Sequence, residues 1–376
     1  MKSILLSSCV ILASALAFSG ESMEIVRYPG TSSSLRERWE WVGGEASRRN
    51  AGEEYWIGYS IRRLMGKEEF VGTYYSIPRL NKPSLGEILQ GKGQFHEAAP
   101  SMDMSESGNI QGSFTLCKGS EEHNVMVEKE VAILFHHASG TSIDEARISN
   151  FSLHVDLNDE PLFWLGDVDQ GESIGQLQGI FRQTDNVDMQ KEIVMAIGLH
   201  QIPEVQYPAF TSILTGNASS SVRAECAFWI GQLDTDSALA ILIRSALGEN
   251  SGEVRERAVF AISEMTGERS SDALIDLARN GNDEETRKKA MFWLGQKASK
   301  KAALTLGDIV SSDDDIEIQK SALFALTQLP DNEGTELIIR IARTHRSPEI
   351  RKQAIFWLSQ SDDKRALDAL VDIVRE

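Results

Sequence analysis

The chain has 376 residues, 41% of them hydrophobic, with 56 acidic against 38 basic side chains and a formal net charge of −18. That length accommodates two domains, and the charge argues against a nucleic-acid or anionic-lipid partner, because phosphate binding needs a concentrated basic surface and no stretch supplies one. The three cysteines, Cys9, Cys117 and Cys226, make no disulfide framework.

The opening MKSILLSSCVILASALA has one basic residue, an uncharged apolar run after Lys2 and small residues at Ala15 and Ala17. Residues 1–17 therefore read as a secretory signal peptide. The mature protein is expected to be exported, periplasmic or extracellular, with no membrane span once the signal is cut, since the apolar run is shorter than the roughly 20 residues a span needs.

Residues 18–158 are expected to form a mostly β domain built on an antiparallel sheet. A short helix is predicted over 34–41. Then the period becomes two: Tyr55, Ile57, Tyr59 and Ile61 share one face, as do Val125, Val127, Val131, Ile133 and Phe135, and again Phe151, Leu153, Val155 and Leu157. Residues 70–77 and 112–117 are further strand candidates, and 79–111, rich in Gly, Pro, Ser and Met, reads as a long loop whose role the sequence leaves open.

Alternation places His154 with Asp156, and His136 with Glu128 and Glu130, on common faces. Polar residues fill the solvent face of a sheet in any case, so no metal and no cofactor is expected there. The chain has no Gly-x-Ser-x-Gly elbow, phosphate loop, HExxH or paired Cys-x-x-Cys, so no residue is assigned a catalytic role.

The second half repeats itself. VRAECAFWIGQL begins at Val222, VRERAVFAISEM at Val254, TRKKAMFWLGQK at Thr286, IQKSALFALTQL at Ile318 and IRKQAIFWLSQS at Ile350, each copy 32 residues after the last. A fixed period of this size marks a solenoid, in which each unit buries its apolar face against its neighbours. Leu242, Leu274, Leu306, Ile338 and Leu370 form a second ladder at the same spacing, so each unit holds two helices. Polar turns divide them, and each offers capping residues: Ser219 to Ser221, Ser251-Gly252, Asn282-Asp283, Asp313 to Asp315, and Ser347-Pro348-Glu349, the last with Ser347 as N-cap and Pro348 in the first helical position. Backwards, Met195 precedes Phe228 by 33 residues and Leu177 and Phe210 extend the other ladder, while Phe163 lies 32 before Met195. Residues 161–166 are accordingly predicted to be a truncated second helix, and 159–376 an α-solenoid of about six helix pairs.

The pattern V-R-x-x-A-x-x-A/W-L-G resembles HEAT repeats, and the short unit is similar to the HEAT-like subtype of phycobilisome lyases. That resemblance spans roughly residues 160–376 and implies a fold, not an activity, since such repeats serve scaffolds, adaptors, bilin lyases and deoxyhypusine hydroxylase alike. The hydroxylase subtype holds iron on repeated His-Glu pairs, whereas here the one such pair, His96-Glu97, lies outside the repeats.

On a helical wheel Val222, Cys226, Ile230 and Leu233, with Trp229 beside them, form the buried face. Arg223, Arg255, Arg287 and Arg351, with Gln319 as the exception, flank it, and the resemblance implies that they bond to an acid in a neighbouring turn. Trp164, Ala196, Trp229, Ala261, Trp293, Ala325 and Trp357 alternate large with small, which suggests interdigitation with a period of two units. Phe228, Phe260, Phe292, Phe324 and Phe356 point the other way, with Gln232, Gln296, Gln328 and Gln360 one turn on. At about 8 to 10 Å per helix, the five Phe would span roughly 40 Å. These residues are the predicted partner-binding set. The expected function is a non-enzymatic scaffold or adaptor that holds a protein or peptide segment along the concave face. Two alternatives stand beside it: a metal-dependent or lyase-like enzyme with its site near His136, His154 and Asp156, and an envelope sensor.

Overall fold

The structure, a computed structural model, describes residues 23–32, 34–49, 54–67, 69–72, 83–91, 125–138, 143–297 and 299–375. The signal-peptide segment, the strand candidate at 112–117, most of that at 70–77, and 79–82 and 92–111 of the long loop lie outside the described residues.

Among the described residues five strands make one sheet: β1 (Ile25–Arg27), β2 (Tyr55–Gly66), β3 (Met126–His137), β4 (Ile143–Asn150) and β5 (Leu162–Asp167), in the order β1-β5-β2-β3-β4. β2, β3 and β4 are antiparallel neighbours, but β5 runs parallel to both β1 and β2, so the sheet is mixed rather than antiparallel. The difference comes from 161–166, which forms no truncated helix. Leu162, Phe163, Trp164 and Leu165 are all buried, and a strand buried on both faces reads as a continuous apolar run that periodicity cannot separate from a short helix. The strand expected over 151–157 is displaced as well. The regular strand is the preceding 143–150, and Val155 and Leu157 fold back irregularly over the sheet.

Helix α1 (Leu35–Arg49) is longer than the predicted 34–41 and packs Leu35, Val42 and Ala46 on the face that carries Ile57, Tyr59, Ile61, Ile133, Phe135 and Phe163. Its first amide, on Leu35, donates to Glu172 Oε2 at 2.5 Å, and Arg38 Nη1 donates to the carbonyls of Leu165 and Asp167, both at 2.8 Å. Trp56, Leu134, Leu162 and Trp164 face the other side. There they are covered by the five-residue helix α2 (Leu85–Leu89), closed by a Ser84–Glu87 capping box, and by residues 153–157. Gly58 leaves room here for its neighbours, since a Cβ would come within 2.5 Å of Leu134 Cδ2 and 3.1 Å of the Trp164 ring.

From Gln170 onward the chain is helical: α3 (Gln170–Phe181), α4 (Val187–Gly198), α5 (Pro203–Leu214), α6 (Ser220–Gln232), α7 (Asp236–Gly248), α8 (Gly252–Glu264), α9 (Glu268–Asn280), α10 (Glu284–Gly295), α11 (Lys300–Ser312), α12 (Ile316–Thr327), α13 (Thr335–Thr344), α14 (Pro348–Ser359) and α15 (Lys364–Arg375). These are six pairs and an unpaired last helix. Ser219, Asp283 and Asp315 cap their helices by accepting amide hydrogens, as the polar turns predicted. Ser251 and Ser347 occupy cap positions without a side-chain bond.

One continuous apolar core runs from the sheet through the helices. At the junction a buried polar chain ties the parts together. The Tyr59 hydroxyl lies 3.0 Å from Ser173 Oγ, Ser173 lies 2.9 Å from His200 Nε2, and His200 Nδ1 lies 2.8 Å from the Ala196 carbonyl. Burial depresses the His200 imidazole to about 4, so it is neutral at ordinary pH. The Ser–His pair is closed to any substrate, since both side chains are buried.

Candidate interaction surface

The repeated second helices α4, α6, α8, α10, α12 and α14 stack side by side. Val222, Cys226 and Ile230 are fully buried and Leu233 partly so, as the wheel predicted. The Cys226 thiol is pushed well up by burial, which makes it a small core residue rather than a reactive one.

The arginines staple successive units. Arg223 reaches Glu249 at 2.5 Å, Arg255 reaches Asp283 at 3.2 Å, and Arg287 pairs with Asp313, each acid lying in the turn that follows the next helix. Gln319 replaces the salt bridge with a bond from Nε2 to the Asp313 carbonyl at 2.5 Å. Arg351 donates to the His345 carbonyl at 2.6 Å, as Arg255 does to the Glu249 carbonyl at 2.8 Å.

The large–small alternation has a concrete basis. Gly231 and Gly295 sit where α6 and α10 meet α8 and α12. A Cβ at Gly231 would lie 2.9 Å from Ala261 Cβ, and one at Gly295 would lie 2.6 Å from the Ala325 carbonyl oxygen. In the intervening gaps a Trp fills the space. Trp229 covers Gly198 at the end of α4, Trp293 meets Phe260 at 4.9 Å between ring centroids, and Trp357 meets Phe324 at 5.4 Å. Gaps closed on Gly and Ala thus alternate with gaps filled by Trp. Trp164 takes no part, being in β5.

The phenylalanines are neither core nor fully exposed. Phe228 and Phe260 stack at 6.2 Å with an 8° interplanar angle, and the Arg257 guanidinium lies within 6.0 Å of both ring centroids. Phe324 is half-buried, Phe292 is 37% exposed and Phe356 50%. Between α10 and α12 a hollow of about 500 Å³ opens, lined by Phe292, Trp293, Phe324, Lys288, Lys289 and Lys320. The lysines are compensated: Lys289 faces Glu256 at 3.1 Å and Glu285 at 3.7 Å, and Lys320 links Glu317 at 2.9 Å with Glu349 at 2.6 Å across α12 and α14. The hydrogen bond to Glu349, and then that to Glu317, holds the Lys320 ammonium up at about 12.

Gln232 closes α6, and Gln296, Gln328 and Gln360 are the C-caps of α10, α12 and α14. All but the half-buried Gln328 are exposed. The Gln column therefore lies at helix carboxyl ends, one turn beyond the Phe.

The candidate cluster in the sheet does not assemble as alternation suggested. His154 is buried with Nδ1 2.8 Å from the Pro83 carbonyl, and Asp156 Oδ1 accepts the Asn158 amide at 3.2 Å. Glu128 and Glu130 do share the His136 face of β3. At about 3.3 Å per residue, however, they stand roughly 20 to 26 Å along the strand. What lies against His136 instead is Asp144 and Glu160, brought from other segments by the fold.

The geometry is that of an α-solenoid of stacked helix pairs joined to a mixed sheet. Residues 207–295 and 303–376 match the family profile for HEAT repeats, so HEAT repeats run through 207–376 of the helical repeat region. No curated protein matches the chain in sequence. Among solved structures, human deoxyhypusine hydroxylase is similar at 15% identity, over 54% of this chain and 85% of that one, with a TM-score of 0.24. The CpcE–CpcF complex of phycocyanin lyase from Nostoc is similar at 16% identity, over 55% and 88%, at 0.32. A Streptococcus mutans protein is similar at 16%, over 50% and 96%, at 0.36. At these scores the likenesses carry no argument about activity.

Proposed function

We propose that this protein is an exported, non-enzymatic scaffold that holds an extended protein segment along the inner face of its second helices, with Phe228, Phe260, Phe292, Phe324 and Phe356 as apolar contacts and Gln232, Gln296, Gln328 and Gln360 as partners for the segment's peptide groups. The hollow between α10 and α12 is the observation that supports this reading. Phe292, Trp293 and Phe324 present apolar surface there that the solenoid leaves half uncovered. Aromatic side chains give contact area at low entropy cost, and an exposed Gln amide both donates to and accepts from an extended backbone.

The test is a display selection of random 12-residue peptides against the purified chain, followed by affinity measurement on a Phe292→Glu/Phe324→Glu variant. The selected peptides should bind the parent with a Kd of about 10 µM or tighter and the variant at least about tenfold more weakly, a loss of about 1.4 kcal/mol, with helical content and melting temperature preserved. Peptides that bind both proteins equally, or a variant that loses its fold, would overturn the assignment of these residues.

A further inference from the structure

We propose that the sheet carries a site for one divalent transition-metal ion of the chemistry of Zn²⁺, made by His136, Glu160 and Glu54 and oriented by Asp144. This site is separate from the solenoid surface and independent of its function.

His136 is the penultimate residue of β3, paired with Trp56 of β2 and Glu145 of β4, on the sheet face turned away from α1. Its Nδ1 lies 2.7 Å from Asp144 Oδ1. A carboxylate on Nδ1 fixes the proton there and turns the Nε2 lone pair outward, the arrangement by which a carboxylate orients a metal-binding imidazole. Glu160 Oε2 stands 3.0 Å from Nε2. Both atoms are buried and, among the described residues, neither has a hydrogen-bond partner, because at 3.0 Å the oxygen lies out of line with the ring. Two buried lone-pair atoms at that separation repel unless a cation lies between them. A proton on Nε2 would draw the oxygen into line, whereas a metal ion, which both atoms approach from different directions, would not.

The third ligand is Glu54, immediately before β2. One ligand atom from each of Glu54, His136 and Glu160 lies within 4.8 Å of the others. Bonds of about 2.0 to 2.2 Å at tetrahedral angles put ligand atoms about 3.3 Å apart. The His136–Glu160 pair already has nearly that spacing, and the exposed Glu54 closes the remainder by a small side-chain movement. Glu160 is delivered by a tight turn in which Asn158 and Asp159 both have positive φ, 55° and 60°, closed by the Glu160 amide on the Leu157 carbonyl at 3.0 Å. The Trp56 ring, 5.0 Å from the imidazole, walls the apolar side. One imidazole and two carboxylates without a thiolate suit Zn²⁺ or a similar first-row ion. Mg²⁺ prefers all-oxygen octahedral shells.

The full chain, stripped with a chelator, is titrated with Zn²⁺ by calorimetry. One saturable site per chain is expected, with a Kd of about 1 µM or tighter and unaffected by millimolar Mg²⁺. Glu54→Gln, an exposed change that leaves the fold intact, and Glu160→Gln should each weaken it at least about tenfold, and His136→Gln should abolish it. Asp144→Asn should weaken binding by about 10- to 100-fold without removing a ligand, while Glu128→Gln on the same strand should leave it unchanged. Melting in chelator shows that the variants fold alike. Absence of one-to-one binding by the parent protein, or binding that survives both Glu54→Gln and His136→Gln undiminished, would overturn the site.

Discussion

The same helical position produces opposite surfaces at the junction with the sheet and in the middle of the solenoid. Glu192 of α4, Glu225 of α6, Arg257 of α8 and Lys289 of α10 occupy equivalent places in successive units. At the junction, where α4 packs against β4, Glu192 is crowded by Glu225, Glu145 and Asp188, and its Oε2 has no hydrogen-bond partner among the described residues. Nearby Met195, in the phenylalanine column, is only 9% exposed, and Trp229 is seated over Gly198 with its indole donating to Glu225 at 3.1 Å. In the middle of the stack Lys289 is matched by two acids, and Phe292 stands half open over the hollow. The repeat sets the backbone, and what packs over each unit decides whether a given position is core or surface. The sheet closes the first unit and leaves the later ones open.

The change with the largest expected effect strikes the open region. Gly295→Leu would drive a side chain into the α12 backbone at Ala325, where no flexible group can yield. A loss of about 3 kcal/mol or more in urea unfolding is expected, the upper range for overpacking. Gly248→Ala, at the end of α7 with nothing within 4 Å of the new Cβ, should instead be neutral or stabilise by up to about 1 kcal/mol. Equal costs at both positions would mean that the Gly–Ala contact does not set the spacing of the helices.

The junction is tested by Glu192→Gln. Burial first, and then the neighbouring carboxylates, lift this carboxyl from 4.5 to about 7. A raised acid costs stability when it ionises. The folded state is therefore unburdened below about pH 4.5 and loses stability as pH rises through 7. The amide removes that loss, so the variant should gain up to about 3 kcal/mol at pH 8, at about 1.36 kcal/mol per pH unit, and nothing at pH 4. Urea midpoints at pH 4, 6 and 8 measure this. A constant difference across that range would show the carboxylate to be well hydrated.

The contrast between the regions also explains what could be read in advance. The solenoid was legible because each helix meets the same neighbours 32 residues later, so Phe, Leu and Arg ladders register directly as packing. The Arg223, Arg255 and Arg287 staples and the caps at Ser219, Asp283 and Asp315 follow from that regularity. The sheet has no such redundancy. Phe151, Leu153, Val155 and Leu157 alternate without forming a strand, because Val155 and Leu157 need only cover the apolar face beneath them. β5 enters between β1 and β2 from 96 residues beyond the end of β2, a long-range pairing that no local pattern carries. Likewise Glu54, Asp144 and Glu160 come to His136 from three separate segments. Asp144 and His136 were not linked by any motif spacing, so the cluster is visible only once the strands are paired.

The smallest expected effect is one in which the two regions should not differ. Arg223→Met near the junction and Arg287→Met near the hollow remove equivalent staples, to Glu249 and Asp313. These pairs are largely but not wholly shielded, so each should cost about 1 kcal/mol at pH 7. Burial alone would raise Asp313, yet the Arg287 bond and the Asp315 amide hold it below its ordinary 3.8. Glu249 is held below 4.5 in the same way, by the Ser251 amide and Arg223 against its burial. A depressed acid contributes stability above its unfolded value and loses it as pH falls through the folded one. The cost of either substitution should therefore fade below about pH 4, and urea unfolding at pH 7 and pH 3 checks it. A markedly larger cost for Arg287→Met would mean that the open hollow depends on its staple for support, and the covering sheet would then be what spares Arg223 the same duty.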